Sequence, residues 1–189
     1  RDVLAWAQAA TPLPELAAEV TDTDVAQILY TSGTTALPKG AVLTHRALVH
    51  HYDSAALALD ISGRDRLLQA LPLYHSAQMH VFMMTAILMG AASWILEVPA
   101  PLRVLDAIEE HEINSFFAAP TVWISLAGLI EKDPARVAHL RRAYYGASIM
   151  PTPVLQRLRS ALPELGFYNC FGQSELGPLC AVLRPEDHE

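Results

Sequence analysis

The stretch ILYTSGTTALPKGAVLTH, residues 28 to 45, decides how the rest of the chain is read. A short apolar run ends at Tyr30. Thr31, Ser32, Gly33, Thr34 and Thr35 follow, four hydroxyls around one glycine, and then Pro38, Lys39 and Gly40. Small residues let a backbone approach a ligand closely, and amides in such a loop can face an anion. The hydroxyls add donors for phosphate oxygens, and Lys39 adds a mobile positive charge. Together they suit a polyphosphate. The common P-loop, G-x-x-x-x-G-K-[ST], is a different arrangement: here six residues separate Gly33 from Gly40, and Lys39 precedes the second glycine. A polar turn between strand and helix is the ordinary meaning of a Ser/Thr/Gly loop. Four hydroxyls with a proline and a lysine after a buried strand go beyond what such a turn requires.

Outward from this loop, strand and helix patterns alternate. Residues 25–30 read as a buried strand. Thr44 is the expected N-cap of a helix carrying Leu48, Tyr52, Ala55 and Leu59 at helical spacing. Further strands are predicted at 67–71, 93–97, 115–119, 142–147 and 166–172. Helices are predicted over about 77–89 and after Pro101, Pro120 and Thr152. This alternation predicts an α/β fold, a mainly parallel sheet with helices on both faces. Residues 1–24 read as a linker or the tail of a preceding element, and 25–189 as the core. In such sheets ligands sit beyond the carboxyl ends of the strands. The loops falling there are TSGTTALPKG, PLYHSAQMH, APTVW, GASIMP and FGQSELGP.

Composition narrows the classes. The 189 residues are 52% hydrophobic and 17% charged, more apolar than an average soluble domain. The net charge is −7 with no Lys/Arg cluster, which argues against a nucleic-acid surface. Cys170 and Cys180 form no CxxC or zinc spacing and read as small buried residues of a reduced cytoplasmic protein. MHVFMMTAILMGAASWIL, residues 79 to 96, is about long enough to span a bilayer. His80 interrupts it and Gly90-Ala91-Ala92 breaks it, so a helix followed by a buried strand is expected, not a transmembrane segment. Peripheral membrane contact stays open, without a basic amphipathic helix to support it. Arg1-Asp2-Val3 resembles no targeting segment, and the chain reads as an excised fragment. The sequence assigns no oligomeric state.

YTSGTTALPKG closely resembles the phosphate-loop signature of the adenylate-forming enzymes, the superfamily of acyl-CoA synthetases, luciferases and peptide-synthetase adenylation domains. Ala36 stands where their usual form has glycine. NCFGQSELGP is similar to the family's aromatic-Gly-x-Thr-Glu motif, with Phe171 for the usual tyrosine and Ser174 for the usual threonine. YYGASIM resembles the family's segment on the other face of adenine, with Tyr145 where a glycine often sits. The resemblance implies phosphate contacts from Thr31, Ser32, Gly33, Thr34, Thr35 and Lys39. It implies an adenine site at Gly146, Ala147, Ser148, Asn169, Cys170, Phe171 and Gly172, and Mg²⁺ on Thr31 and Glu175, oxygen donors of the kind this ion takes.

LPLYHSAQMH resembles the acyl-CoA synthetase motif Leu-Pro-aromatic-aromatic-His. Amino-acid-activating relatives carry a carboxylate in this region, and none occurs here, so an apolar acid pocket is expected. Across residues 25 to 187 the chain closely resembles bacterial fatty-acyl-CoA synthetases, down to CFGQSELGPL and VLRPEDH. That similarity implies an acyl and carboxylate site at His75, Met79, Trp123 and Ser174, with ordinary core packing as the alternative for Met79 and Trp123. Metal binding by His75 with His80 is a weaker alternative, and His45, His50 and His51 are expected to face solvent. The implied reaction uses ATP, Mg²⁺ and coenzyme A: a fatty-acid carboxylate attacks the α-phosphorus, pyrophosphate leaves, and a thiol then takes the acyl group. The family's ribose-binding aspartate, hinge and C-terminal lid are not recognised in this sequence, so the fragment alone is expected not to turn over. An aryl-acid ligase, a ligase loading a carrier protein, and a non-catalytic nucleotide-binding module stand as alternatives.

Overall fold

The computed structural model describes residues 19–31 and 37–188. Its centre is a six-stranded sheet in the order β4-β3-β5-β6-β7-β8. The strands are β3 (Arg66–Gln69), β4 (Ala92–Ile95), β5 (Ser115–Ala118), β6 (Arg142–Gly146), β7 (Gly166–Gly172) and β8 (Leu179–Leu183). The first five of these run parallel, and β8 joins the β7 edge antiparallel. Short apolar runs such as SFFA, buried at all four positions, are what a strand covered on both faces requires.

Alternation along the strands divides the core in two. Phe116, Ala118, Ala143, Tyr145 and Phe167 point to one face. There they meet α3 (Pro101–Glu110), α4 (Pro120–Lys132) and α5 (Thr152–Ala161). Leu67, Phe117, Tyr144, Tyr168 and Cys170 point to the other. They meet α1 (His45–Ala58), a π-helix (Ala77–Met84) and α2 (Thr85–Met89). Proline opens α3 and α4 at the first helical position, where its missing N–H costs nothing. Thr44 caps α1 by accepting from the Ala47 amide at 3.2 Å, as its position predicts. α2 ends at Gly90, whose φ of 72° is the left-handed conformation that glycine adopts most readily.

The amino-terminal part departs from the expected alternation. β1 (Val25–Thr31) does not enter the parallel sheet. It pairs antiparallel with β2 (Lys39–Thr44) in a two-stranded ribbon of its own. Thr31 lies opposite Lys39, so the intervening loop leaves and returns at one point. Residues 32–36 of that loop, including Ser32, Gly33, Thr34 and Thr35, lie outside the described residues.

Two other expectations are corrected. His45 and His50 are exposed, but His51 is buried at 8% exposure. It falls on the same stripe of α1 as Leu48, Tyr52 and Ala55, the stripe that faces the core. Cys170 is buried, whereas Cys180 is exposed on the edge strand β8. Among the described residues no helix is long and apolar enough to cross a membrane.

Candidate functional site

A cavity of about 780 Å³ opens beyond the carboxyl ends of β3, β5, β6 and β7. The end of β1 supplies Leu29, Tyr30 and Thr31, and the loop after β3 supplies Tyr74, His75 and Ser76. Ala147 follows β6, Phe171 and Gly172 end β7, and Gln173 to Glu175 follow it. The π-helix closes one side with Ala77, Gln78, Val81 and Phe82. The position agrees with the general rule for parallel sheets.

Eight of the residues singled out in the sequence line this one cavity: Thr31, His75, Ala147, Cys170, Phe171, Gly172, Ser174 and Glu175. Phe171 is 62% exposed, so its ring is available to a ligand. Two close approaches explain the glycines. A Cβ on Gly146 would stand 2.3 Å from the Cys170 carbonyl oxygen, and one on Gly172 would stand 1.7 Å from the Pro178 carbonyl oxygen. Ala147 holds a φ of 66°, a strained conformation for alanine, at the point where β6 turns into the cavity wall. Thr31 Oγ1 lies 3.5 Å from the Lys39 carbonyl oxygen at the root of the phosphate-loop sequence. Lys39 is exposed there.

Other expected site residues lie elsewhere. Trp123 is fully buried on the opposite face of the sheet; its Nε1 donates to the Tyr144 carbonyl at 3.0 Å and its ring packs on Phe116. It is core, because the first turns of α4 lie against that layer. Met79 turns toward β1, with its sulfur 3.8 Å from Gln27 Nε2. Asn169 alternates to the face opposite its neighbour Cys170, and Ser148 is exposed beside Ala147 without lining the cavity. His75 and His80 do not converge: His75 faces the cavity, whereas His80 is buried against Tyr52.

Sequence reasoning missed the inner wall. Phe82 and Phe117 stack with centroids 4.3 Å apart, one from the π-helix and one from β5, and close the deep end of the cavity. Gln78 is completely buried. Its Oε1 accepts from the Leu71 amide at 3.2 Å, and its amide group donates to Gln69 Oε1, fixing the loop that carries His75. A glutamine in an otherwise apolar run was the available signal, since a buried amide needs partners. Burial pushes the Cys170 thiol up to about 12, so it stays protonated at the cavity floor.

A family model described as AMP-binding enzyme matches residues 2–189. An L-proline:L-prolyl-carrier protein ligase of Streptomyces coelicolor is 31% identical over 188 residues, 96% of this chain and 35% of that protein. A feruloyl-CoA synthase of an Amycolatopsis species is 29% identical over 160 residues, 85% of this chain and 32% of that protein. Among solved structures, the inhibitor-bound N-terminal domain of FACL13 from Mycobacterium tuberculosis superposes with a TM-score of 0.87 at 25% identity, covering 99% of this chain and 46% of that one. The o-succinylbenzoate coenzyme A synthetase of Bacillus subtilis, in complex with ATP and magnesium ion, gives 0.80 at 27% identity over 89% of this chain and 34% of its own. The chain thus spans about a third of the length of the curated relatives it matches.

Proposed function

The chain belongs to the AMP-binding enzyme family, and on that premise we propose that the protein carrying it activates an apolar carboxylic acid, in the first place a fatty acid, with ATP and passes the acyl group to coenzyme A. The carboxylate oxygen forms a bond to the α-phosphorus while the bond to pyrophosphate breaks. The coenzyme A thiol then attacks the acyl carbon and AMP leaves. The observation that supports this most is the convergence of four sequence-distant segments, carrying Thr31, His75, Ala147 and Phe171 to Glu175, on one cavity. Holding two reactants in one pocket supplies much of what an acyl-phosphate condensation needs.

In this reading Phe171 stacks on the base, Lys39 and the loop amides meet the phosphates, and His75 stands beside the acid carboxylate. The residues present fit magnesium. Thr31 and Glu175 bring a hydroxyl and a carboxylate to the cavity. That suits a hard cation that takes one or two protein oxygens and fills its shell from phosphates and water. When bound, Mg²⁺ would neutralise charge on the departing pyrophosphate. A cytoplasmic, reducing setting suits the free thiols of Cys170 and Cys180.

A second reading changes only the acid. The Phe82–Phe117 stack closes the cavity with aromatic faces, which favours a flat aryl acid over a long chain. The similarity to a feruloyl-CoA synthase points the same way.

Acid-dependent exchange of pyrophosphate into ATP, measured on the complete protein with acids from acetate to palmitate plus benzoate and ferulate, tests both. Exchange that grows with chain length supports the fatty acid; a maximum at an aryl acid supports the second reading. No exchange, with stabilisation by acyl-adenylate mimics retained, would leave a nucleotide-binding module without this chemistry; no stabilisation either would overturn the adenylate reading as a whole. A mimic at a hundredfold excess over its Kd should stabilise the fold by about 2.7 kcal/mol.

A further inference from the structure

We propose that Ser76 is a positioning residue of this site: its hydroxyl donates to Ser174 Oγ and so aims the Ser174 proton at the anionic oxygen of the bound ligand. The inference rests on the reading of the cavity as an adenylate site. The two Oγ atoms are 2.9 Å apart although 98 residues separate them in sequence. Ser76 follows His75 on the loop after β3, and Ser174 lies between Phe171 and Glu175 on the loop after β7. The bond therefore ties the wall next to the acid to the wall next to the nucleotide, and both residues line the cavity.

Elementary proton counting gives this pair its meaning. Two hydroxyls carry two protons, and a bond between them uses one. Ser76 does not spend its side chain on the helix it precedes, since it makes no capping bond there. A carboxylate or phosphate oxygen brings acceptors only, so it needs the second proton. With Ser76 as donor, the Ser174 hydroxyl does not use its own proton in this bond and keeps it for a ligand oxygen in the cavity. Bonds in such a chain polarise one another, which strengthens the outer one.

The test uses the complete protein and two probes: an acyl-sulfamoyl adenosine bearing a hexanoyl or benzoyl group, which has the anionic centre, and adenosine, which lacks it. Ser174→Ala should lower affinity for the anionic probe roughly tenfold, and Ser76→Ala roughly three- to fivefold. The double variant should bind no more weakly than Ser174→Ala alone, since both act through one bond. Adenosine should bind all variants alike, and Ser76→Thr should restore the anionic probe to within about twofold of wild type. Where Ser76→Ala does not fold, Ser76→Cys, similar in shape and a weaker donor, makes the same comparison.

A Ser76→Ala protein that binds the anionic probe like wild type overturns the proposal. So does an equal loss for adenosine, a loss larger than that of Ser174→Ala, or single losses that multiply in the double variant. A wild-type protein that binds neither probe would sink the adenylate reading itself, and the role of Ser76 with it.

Discussion

Nδ1 of His80 lies 2.8 Å from the hydroxyl of Tyr52, and the two rings stack with centroids 5.9 Å apart. The other imidazole nitrogen meets Gln27 Oε1, an acceptor, so it carries the ring proton and Nδ1 accepts from Tyr52. One imidazole thus joins β1, α1 and the π-helix beside the cavity. Tyr52→Phe would leave a buried ring nitrogen without its donor. It should cost about 1–3 kcal/mol in urea denaturation, and an unchanged midpoint would refute this role.

His51 sits one residue away, and its Nε2 has no hydrogen-bond partner among the described residues. Burial, with a smaller contribution from His80, pushes it down from 6.5 to about 4. The native state therefore refuses a proton that the unfolded chain accepts below about pH 6.5. Its contribution to stability is whole above that pH and is lost as pH falls toward 4. The loss is on the order of 2–3 kcal/mol, at ~1.4 kcal/mol per unit. Denaturation at pH 7.5 and 4.5 should show it, and His51→Leu should flatten the dependence. An equally steep dependence in the variant would assign the effect to another group.

Asp65 is 3% exposed and takes Arg142 Nη1 at 2.6 Å, while its other oxygen accepts from the Ser62 amide at 2.7 Å. The pair fixes the amino-terminal ends of the central strands. Asp65→Ala strands a half-buried guanidinium and should cost about 3 kcal/mol or more. The double variant Asp65→Ala with Arg142→Met should recover part of that. If it recovers nothing, the cost belongs to the Ser62 turn and not to the ion pair.

Phe82 is 1% exposed and forms half of the aromatic end wall. Phe82→Leu should cost about 1–2 kcal/mol of stability. It should also raise the ratio of long-chain to aryl acid in pyrophosphate exchange by up to about tenfold. A preserved ratio would mean that the acid does not reach this wall.

Much of the architecture was legible in the sequence because its cause is local. SFFA, RAYYG and GFYNCFG are short apolar runs between turn residues, and Pro101 and Pro120 mark helix starts through their own geometry. The ribbon was not legible. Ile28 and Tyr30 look like core residues, yet they are 52% and 76% exposed on a strand that pairs outside the main sheet. β8 escaped notice because LCAVL has no clean alternation. At the site, residues placed by their own loop or strand end, such as His75 and Phe171, line the cavity. Met79 and Trp123 depended on the rotational phase of a helix, and Ser76 depended on a partner 98 residues away. Neither kind of information is contained in a short window.

The winding of Ala77–Met84 makes the cavity wall sensitive to length as well as to chemistry. A π-helix bonds to the fifth residue along and not the fourth, so each turn holds more chain than an α-helical turn. Removing one residue from this segment would let it tighten into the α-helix that follows it. The tighter turns would take up the missing residue, so the flanking chain would keep its direction while the side chains inside the segment were redistributed around the axis. Gln78 would then move relative to Leu71 and Gln69, and the His75 loop would lose its anchor. A single-codon deletion could thus reshape the pocket without replacing any lining residue, a change that a survey of point substitutions would never sample.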